Sequence, residues 1–472
     1  GDDIYLTIDS NIELFVEQAL RENFIKYPSE WAVAVVADAK TGKILAASQK
    51  PSYDPNVLNI ENYLDITVSE PYEPGSIMKI YTYMAAMERG TYDGTKKFTS
   101  GKYVLEDGTV INDWNPYGWG DITYDQGFQA SSNVGVINIV NNFIDKNILK
   151  DYFKKAGFGE KTGITLANEQ SGKIGFTYES EVYNAAFGQG ITTTPMQHIQ
   201  ALTSIANDGV MLRPYIVDKI VNSDGEIIYK GEKTEVATIA SKKTTDYIRQ
   251  LMYDTVHSSW SAATATMYKV PGYDVIGKTG TAQLVNPYTG RYYTDNYNTI
   301  KSFVGMWPKD DPQVIIYISA KKITYGTSKP LYGTAKSIIT NVSKYLNILG
   351  TKNDNTIENV TIDSYLNKDI TTVTKGFDEK KISYLVLGNG SKVINQYPKK
   401  NYLLNSNEKV ILLTYDTSYK MPNLKNYSKK EAEEVCNMLN ISCSFKGSGY
   451  VYKQSINNGS NLNRTTKVEF EM

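Results

Sequence analysis

Glu73-Pro74-Gly75-Ser76-Ile77-Met78-Lys79-Ile80-Tyr81-Thr82-Tyr83-Met84-Ala85-Ala86 passes from a proline-glycine turn through one serine into a nearly unbroken apolar run. The pattern predicts a largely buried helix that starts at Ser76. A serine in the first helical turn has an unpaired backbone N–H beside its own hydroxyl, and the positive helix end favours developing negative charge. Lys79 falls three residues on, on the same face and within reach of the Ser76 hydroxyl. Nucleophile, base and one half of an oxyanion hole thus share a single turn.

Two further short motifs follow in the chain. Ser131-Ser132-Asn133 precedes the apolar run Val134, Val136, Ile137, Ile139 and Val140, which sets it at another helix start. There Ser131 can pass protons and the Asn133 amide can bind a peptide backbone, whereas the plainer alternative is an N-cap. Lys278-Thr279-Gly280-Thr281 ends a strand read over Tyr273 to Ile276. As an edge strand it would pair with an extended peptide. Lys278 would supply positive charge, Thr279 and Thr281 hydroxyls to hold a carboxylate, Gly280 room for close approach, and the Thr281 N–H the second half of the oxyanion hole. Each motif alone is weak, because Ser406 to Lys409, Ser455 to Asn457, Lys40 to Gly42 and Lys161 to Gly163 match the same short patterns. The order and spacing carry the argument: Ser131 lies 55 residues after Ser76, and Lys278 another 147 on.

Composition bounds the alternatives. The chain has 472 residues, 41% hydrophobic and 21% charged, with 50 basic against 51 acidic side chains, so a nucleic acid is not an expected partner. The longest apolar runs, Trp31 to Ala37 and Val314 to Ala320, have strand length and none spans a membrane. The chain starts at Gly1 without a basic-then-apolar leader, which reads as a processed or trimmed product. His198 and His257 are the only histidines and are read as structural, which disfavours histidine-rich metal hydrolases, a Cys-His protease and a Ser-His-Asp triad, so another base is needed. No cofactor or metal is expected. Cys436 and Cys443 are either a local disulfide or two free thiols.

Thr7-Ile8-Asp9-Ser10 predicts a capped helix, followed by a hairpin of Ala32–Ala37 and Lys43–Ala47. A helical middle, including Thr194 to Asn207, gives way to strands at Val270–Ile276, Lys301–Trp307 and Val314–Ala320, then a helix over Tyr332–Leu349. The fold class is therefore α+β, with an antiparallel sheet flanked by helices over residues 1–349. A polar linker is placed at 350–358, and two small α/β units at 359–416 and 417–472. The two units repeat the order Gly-x-Gly, strand, glutamine, with Gln396 and Gln454 58 residues apart. In the second, Ser428 caps a helix with Ala432, Val435 and Leu439 on one stripe. Units of this size are marginally self-supporting.

With Tyr5 to Asp9, Glu73 to Ser76, Trp114 to Gly120, Gly188-Gln189-Gly190-Ile191 and Thr194-Pro195, the three motifs resemble class B penicillin-binding proteins over nearly the whole chain. Within that class the chain is most similar to Gram-positive cell-division transpeptidases of the 2B type, and its C-terminal units resemble PASTA domains. The resemblance implies a serine β-lactamase/transpeptidase-like domain that cross-links peptidoglycan stem peptides and is acylated by β-lactams. It implies Ser76 as nucleophile, Lys79 as its base, Ser131 and Asn133 as the second motif, and Lys278 to Thr281 as the third. It further implies a glycosyltransferase and other divisome proteins as partners, and a place at the extracytoplasmic face of the membrane through an N-terminal anchor that this chain lacks. The repeats depart from the PASTA pattern: Thr361-Ile362-Asp363 lacks the entry proline, and Ile456 stands where proline follows Gln-Ser. The rival outcomes are a hydrolase of the same fold, in which water resolves the acyl-enzyme, and a wall-sensing scaffold with a silent core.

Overall fold

The computed structural model describes residues 1–53, 64–324, 329–348, 360–380, 382–404, 408–446, 450–463 and 465–472. The chain divides into two compact units, Gly1–Val342 and Ser343–Met472. Among the described residues no helix is long and apolar enough to cross a membrane.

The first unit is organised on a five-stranded antiparallel sheet. Asp9 caps α1 (Ser10–Lys26), its carboxylate accepting from the Asn11 and Ile12 amides. The hairpin follows as β1 (Trp31–Asp38) and β2 (Ile44–Lys50), with Lys40 and Thr41 amides bound to Asp38 in the turn. After the helical segments, which include α2 (Lys79–Glu88), α3 (Asn133–Phe143), α4 (Pro195–Ala206) and α5 (Lys242–His257), come β3 (Ile276–Gln283), β4 (Thr299–Trp307), β5 (Val314–Lys321) and α6 (Lys329–Tyr345). Their order in the sheet is β3-β4-β5-β1-β2, so early and late strands meet at the centre and β3 stands at an edge. Along β1 all eight residues but Asp38 are buried, as expected of a strand covered on both faces. Val33, Val35 and Ala37 join Ile315, Tyr317, Val304 and Ile276 in the core shared with α2, α3 and α4.

The strand read at Val270–Ile276 is corrected. Ordered β-structure begins only at Ile276, because Pro271-Gly272 turns the chain back so that Val270 bridges Tyr273. Lys278 to Thr281 therefore lies inside the edge strand rather than beyond its end. The last helix of the unit begins at Lys329 and ends at Tyr345, shifted toward the N-terminus from the expected Tyr332–Leu349. The expected linker at 350–358 lies outside the described residues.

The second unit holds two copies of one arrangement. The first has α7 (Ile370–Glu379) with β6 (Tyr384–Leu387), β7 (Val393–Tyr397) and β8 (Val410–Thr414), in the order β6-β8-β7. The second has α8 (Lys429–Leu439) with β9 (Ser442–Lys446), β10 (Lys453–Gln454) and β11 (Lys467–Glu471), in the order β9-β11-β10. The repeated glutamines do the same work in each. Gln396 accepts from the Tyr365 amide and donates to Asp363 and Pro398 carbonyls; Gln454 accepts from Leu424 and donates to Pro422 and Ile456. Each side-chain amide thereby satisfies a turn that has no ladder partner of its own. The first repeat keeps a core of its own around Ile362, Val373, Phe377 and Val410, while its Leu387, Ile411 and Leu413 pack with Leu424, Val435 and Phe470 of the second. Sharing a core relieves the shortfall of small domains. Cys436 and Cys443 form a disulfide between the end of α8 and β9.

Candidate active site

Ser76 sits in a short 3-10 turn, Gly75–Met78, that runs directly into α2. It is half-buried, whereas Lys79 is fully buried on the first turn of α2. The turn is pressed between two backbones. Gly75, with φ +62°, lies so close to the Thr281 carbonyl that a Cβ would come within 2.4 Å of its oxygen. The Gly75 amide donates to the Gly188 carbonyl at 2.9 Å, and a Cβ on Gly188 would meet the Gly75 oxygen at 2.0 Å. The Gly188-Gln189-Gly190 turn, the nucleophile turn and the edge strand therefore meet backbone to backbone, which only glycine permits. A Cβ on Gly280 would meet Ser302 Oγ at 2.2 Å, and Ile77 beside Ser76 at 3.0 Å.

The Thr281 carbonyl faces Gly75 on the open side of β3. A strand residue's N–H and C=O point to the same side, so the Thr281 N–H faces the same gap. The Thr281 side chain is exposed. Thr279 is buried and its hydroxyl donates to Thr264 Oγ1 at 3.1 Å.

Ser131 lies between two helices with φ +57°, a left-handed conformation that a non-glycine residue adopts at a cost of about 1 kcal/mol or more. The expected N-cap role falls to its neighbour. Ser132 Oγ accepts from the Gly135 amide at 2.8 Å and caps α3, which leaves Ser131 and Asn133 for other contacts. Lys79 Nζ donates to the Ser131 carbonyl, to Asn133 Oδ1 at 2.8 Å and, at 3.4 Å, to Ser131 Oγ. Lys278 Nζ donates to Ser131 Oγ at 2.8 Å and to the Thr279 carbonyl at 3.0 Å. One serine hydroxyl thus connects both buried amines. Ser76, Lys79, Ser131, Asn133, Lys278, Gly280 and Thr281 converge, and Thr279 faces the same edge through Thr264.

Electrostatics follow from burial. Lys79 is lowered to about 7 by desolvation, against the opposing charge of Asp113. Lys278 is lowered well below the usual lysine range, first by burial and then by the charge of Lys79. Burial acts first on both amines, and the neighbouring lysine adds to it at Lys278. His198, fully buried, is lowered to about 3 and shares a hydrogen bond with Thr193. His257 pairs with the Val275 carbonyl.

Several contributors escape a linear reading. Asp113 accepts from Ser132 Oγ, the Val134 amide and the Gly101 amide, and so anchors the start of α3 from a position 19 residues away. Glu73 Oε1 accepts from the Gly190 amide at 3.0 Å and from Tyr292 at 2.9 Å, and burial raises its pKa. Trp114, Trp119 and Trp260 make an edge-to-face series next to Ser131, with Trp114 Nε1 donating to the Ala130 carbonyl at 2.8 Å. Of these Glu73, Gly190, Trp114 and Trp119 lay in segments the family resemblance had pointed to, whereas Asp113, Tyr292 and Trp260 did not. Of the decoys, Lys40 turns the hairpin and Thr162 of the Lys161 copy binds Glu169; Ser406 lies outside the described residues.

A Ser-x-x-Lys helix start facing a Lys-Thr-Gly edge strand, with a serine bridging the two lysines, defines the class of penicillin-recognising serine acyl-transfer folds. Solved structures agree on the fold. The chain is similar to penicillin-binding protein 3 from Mycobacterium tuberculosis complexed with ampicillin, with TM-score 0.67 and 27% identity, covering 75% of this chain and 80% of that one. It also matches penicillin-binding protein 2X from Streptococcus thermophilus in fold, with TM-score 0.66 and 24% identity over 100% of this chain and 72% of that one. Residues 32–340 match the penicillin-binding protein transpeptidase domain and residues 419–472 match the PASTA domain, so the chain belongs to the penicillin-binding protein transpeptidase family. Among curated relatives, stage V sporulation protein D of Bacillus subtilis is 32% identical over 329 residues, covering 68% of this chain and 49% of its own length. The probable peptidoglycan D,D-transpeptidase PenA of Neisseria flavescens is 30% identical over 361 residues, covering 74% of this chain and 84% of its own. The chain spans about half the length of the first curated relatives it matches.

Proposed function

We propose that this chain is a serine-type peptidoglycan D,D-transpeptidase of the class B, 2B-like kind, with a transpeptidase domain at 1–349, a linker at 350–358 and two PASTA domains at 359–416 and 417–472. The observation that carries the reading is Ser131 Oγ set between two buried lysine amines, one of them lowered to about 7. The shared arrangement of Gln396 and Gln454 supports a PASTA reading of the first repeat.

In this reading neutral Lys79 accepts the Ser76 proton. A neutral amine has two N–H groups and one lone pair; the Ser131 and Asn133 carbonyl oxygens take the N–H groups and leave the lone pair for Ser76. Ser76 attacks the carbonyl between two terminal D-alanines of a stem peptide, and the Ser76 and Thr281 N–H groups stabilise the oxyanion. Ser131 returns the proton to the departing amine. Lys278, Thr279 and Thr281 receive the terminal carboxylate, and an amine from a second stem peptide resolves the acyl-enzyme. A β-lactam mimics the dipeptide and acylates the same serine, which fits the ampicillin complex of the Mycobacterium relative. A glycosyltransferase and divisome proteins are the proposed partners. The proposed location is the extracytoplasmic face of the membrane, in cell division.

Intact mass after exposure to benzylpenicillin tests this directly: one adduct is expected, mapped to Ser76 and absent from Ser76→Ala. Adduct mapped elsewhere sinks the assignment, and rapid loss of the adduct to water would favour the hydrolase outcome. A second expected result concerns pH. Because the folded site lowers Lys79 to about 7, the base form grows as pH rises through that value. Acylation rates measured from pH 5.5 to 8.5 should climb about tenfold per unit on the acid side and flatten above about pH 7. A profile flat over that range would remove Lys79 as the base.

A further inference from the structure

Lys301 stands on β4 directly across the ladder from Thr281, so both side chains leave the sheet on one face. It is 5% exposed, yet among the described residues its amine makes no hydrogen bond or ion pair. Burial alone lowers it, to about 8. Its cross-strand neighbour on β5 is Ala320, the next residue on its face of β4 is Phe303, stacked on Tyr268, and Ser319 Oγ takes only its backbone carbonyl. Its stem is buried while the nitrogen keeps contact with solvent, so a leucine or methionine would fill the same space without the cost of partly desolvating an amine. Costly unpartnered groups beside a cleft are candidates for function.

The position supplies one. Thr281 is exposed on the open edge strand, and the stem of Lys301 is long enough to cross one strand spacing of about 4.8 Å. Lys278, by contrast, is fully buried on the other face of β3 and is engaged with Ser131 and its own strand. We propose that Lys301 is a second carboxylate-binding cation, which pairs with the terminal carboxylate of a stem peptide, or the ring carboxylate of a β-lactam, where it meets Thr281. This rests on the acyl-transfer reading above and adds a specificity-determining residue from β4 to the edge-strand motif. A carboxylate arriving there gives the partly desolvated amine a partner, so the pair gains more than a fully exposed ion pair does.

The test compares benzylpenicillin with its methyl ester, which keeps the reactive ring and loses the charge. For Lys301→Met the second-order acylation rate with benzylpenicillin should fall about tenfold, and with the ester less than twofold. Its thermal midpoint should equal or exceed that of the wild type. Equal losses for acid and ester, or no loss for the acid, overturn the proposal. Lys301→Arg provides the control that retains charge: it should keep the wild-type preference for acid over ester, and a folded Lys301→Arg without that preference also overturns it. Failure of the wild-type chain to form any adduct would instead strike the reading of Ser76 itself, and this inference with it.

Discussion

Lys79→Arg should lower acylation of Ser76 by at least about 10³-fold, while Lys278→Arg lowers it by about ten- to a hundredfold, although both changes keep a positive side chain. The two amines have different tasks in the proposed mechanism. Lys79 has to give up its proton before it can take the serine's, and burial brings it to about 7 so that this happens near neutral pH. A guanidinium stays protonated up to a pKa of about 12 or more, so arginine cannot serve as the base. General bases contribute on the order of 10² to 10⁴ in rate, which sets the size of the loss. Lys278 need only donate to Ser131 Oγ and present charge, which a guanidinium can do, but its larger fork enters a fully buried site beside Phe128 and pays in packing. Single-turnover acylation rates of the two folded variants decide between them. Wild-type behaviour of Lys79→Arg would require another residue to activate Ser76.

Gly75→Ala is expected to be nearly as damaging, without removing a single polar group. Alanine at φ +62° costs about 1 to 2 kcal/mol, and its methyl would also sit 2.4 Å from the Thr281 oxygen. Relief requires β3 to move away from the nucleophile turn, and overpacking of this kind adds roughly 1 to 3 kcal/mol. The Thr281 N–H would move with it. A displacement of about 1 Å in a reacting geometry costs on the order of a hundredfold in rate. Acylation should therefore fall about 10²-fold and the thermal midpoint should drop with it. Gly90→Ala is the comparison: Gly90 also has positive φ, but no atom lies within 4 Å of its would-be Cβ. It should lose stability from strain alone and keep its acylation rate. Equal acylation by Gly75→Ala and wild type would mean that this backbone contact does not position the site.

Much of this was legible from neighbours in the chain. The helix after Ser76 follows from its apolar run, the cap at Asp9 from a short polar side chain before a periodic segment, and the early hairpin from a turn cluster between two β-rich runs. Each depends on interactions within a few residues, which is the range over which sequence pattern has physical force. The misplaced strand at Val270 shows the limit. Its apolar character reflects burial, as Val270, Tyr273 and Val275 are all buried, but Pro271-Gly272 turns the backbone and buries them without a ladder.

What the amino-acid order determined by itself is the inventory: one serine at a helix start, two lysines, a serine-asparagine pair, an edge strand with small residues, and two glutamine-bearing repeats. Which hydroxyl caps α3 and which serves the amines was decided only by the fold, because Asp113 draws Ser132 inward and leaves Ser131 in a left-handed turn. The lowered lysines are likewise a tertiary property, since desolvation needs walls brought in from α2, α3 and β3 together. So too is Lys301, an ordinary letter in an apolar strand until the ladder sets it across from Thr281, for a residue's partner across a sheet is fixed by register and not by distance along the chain.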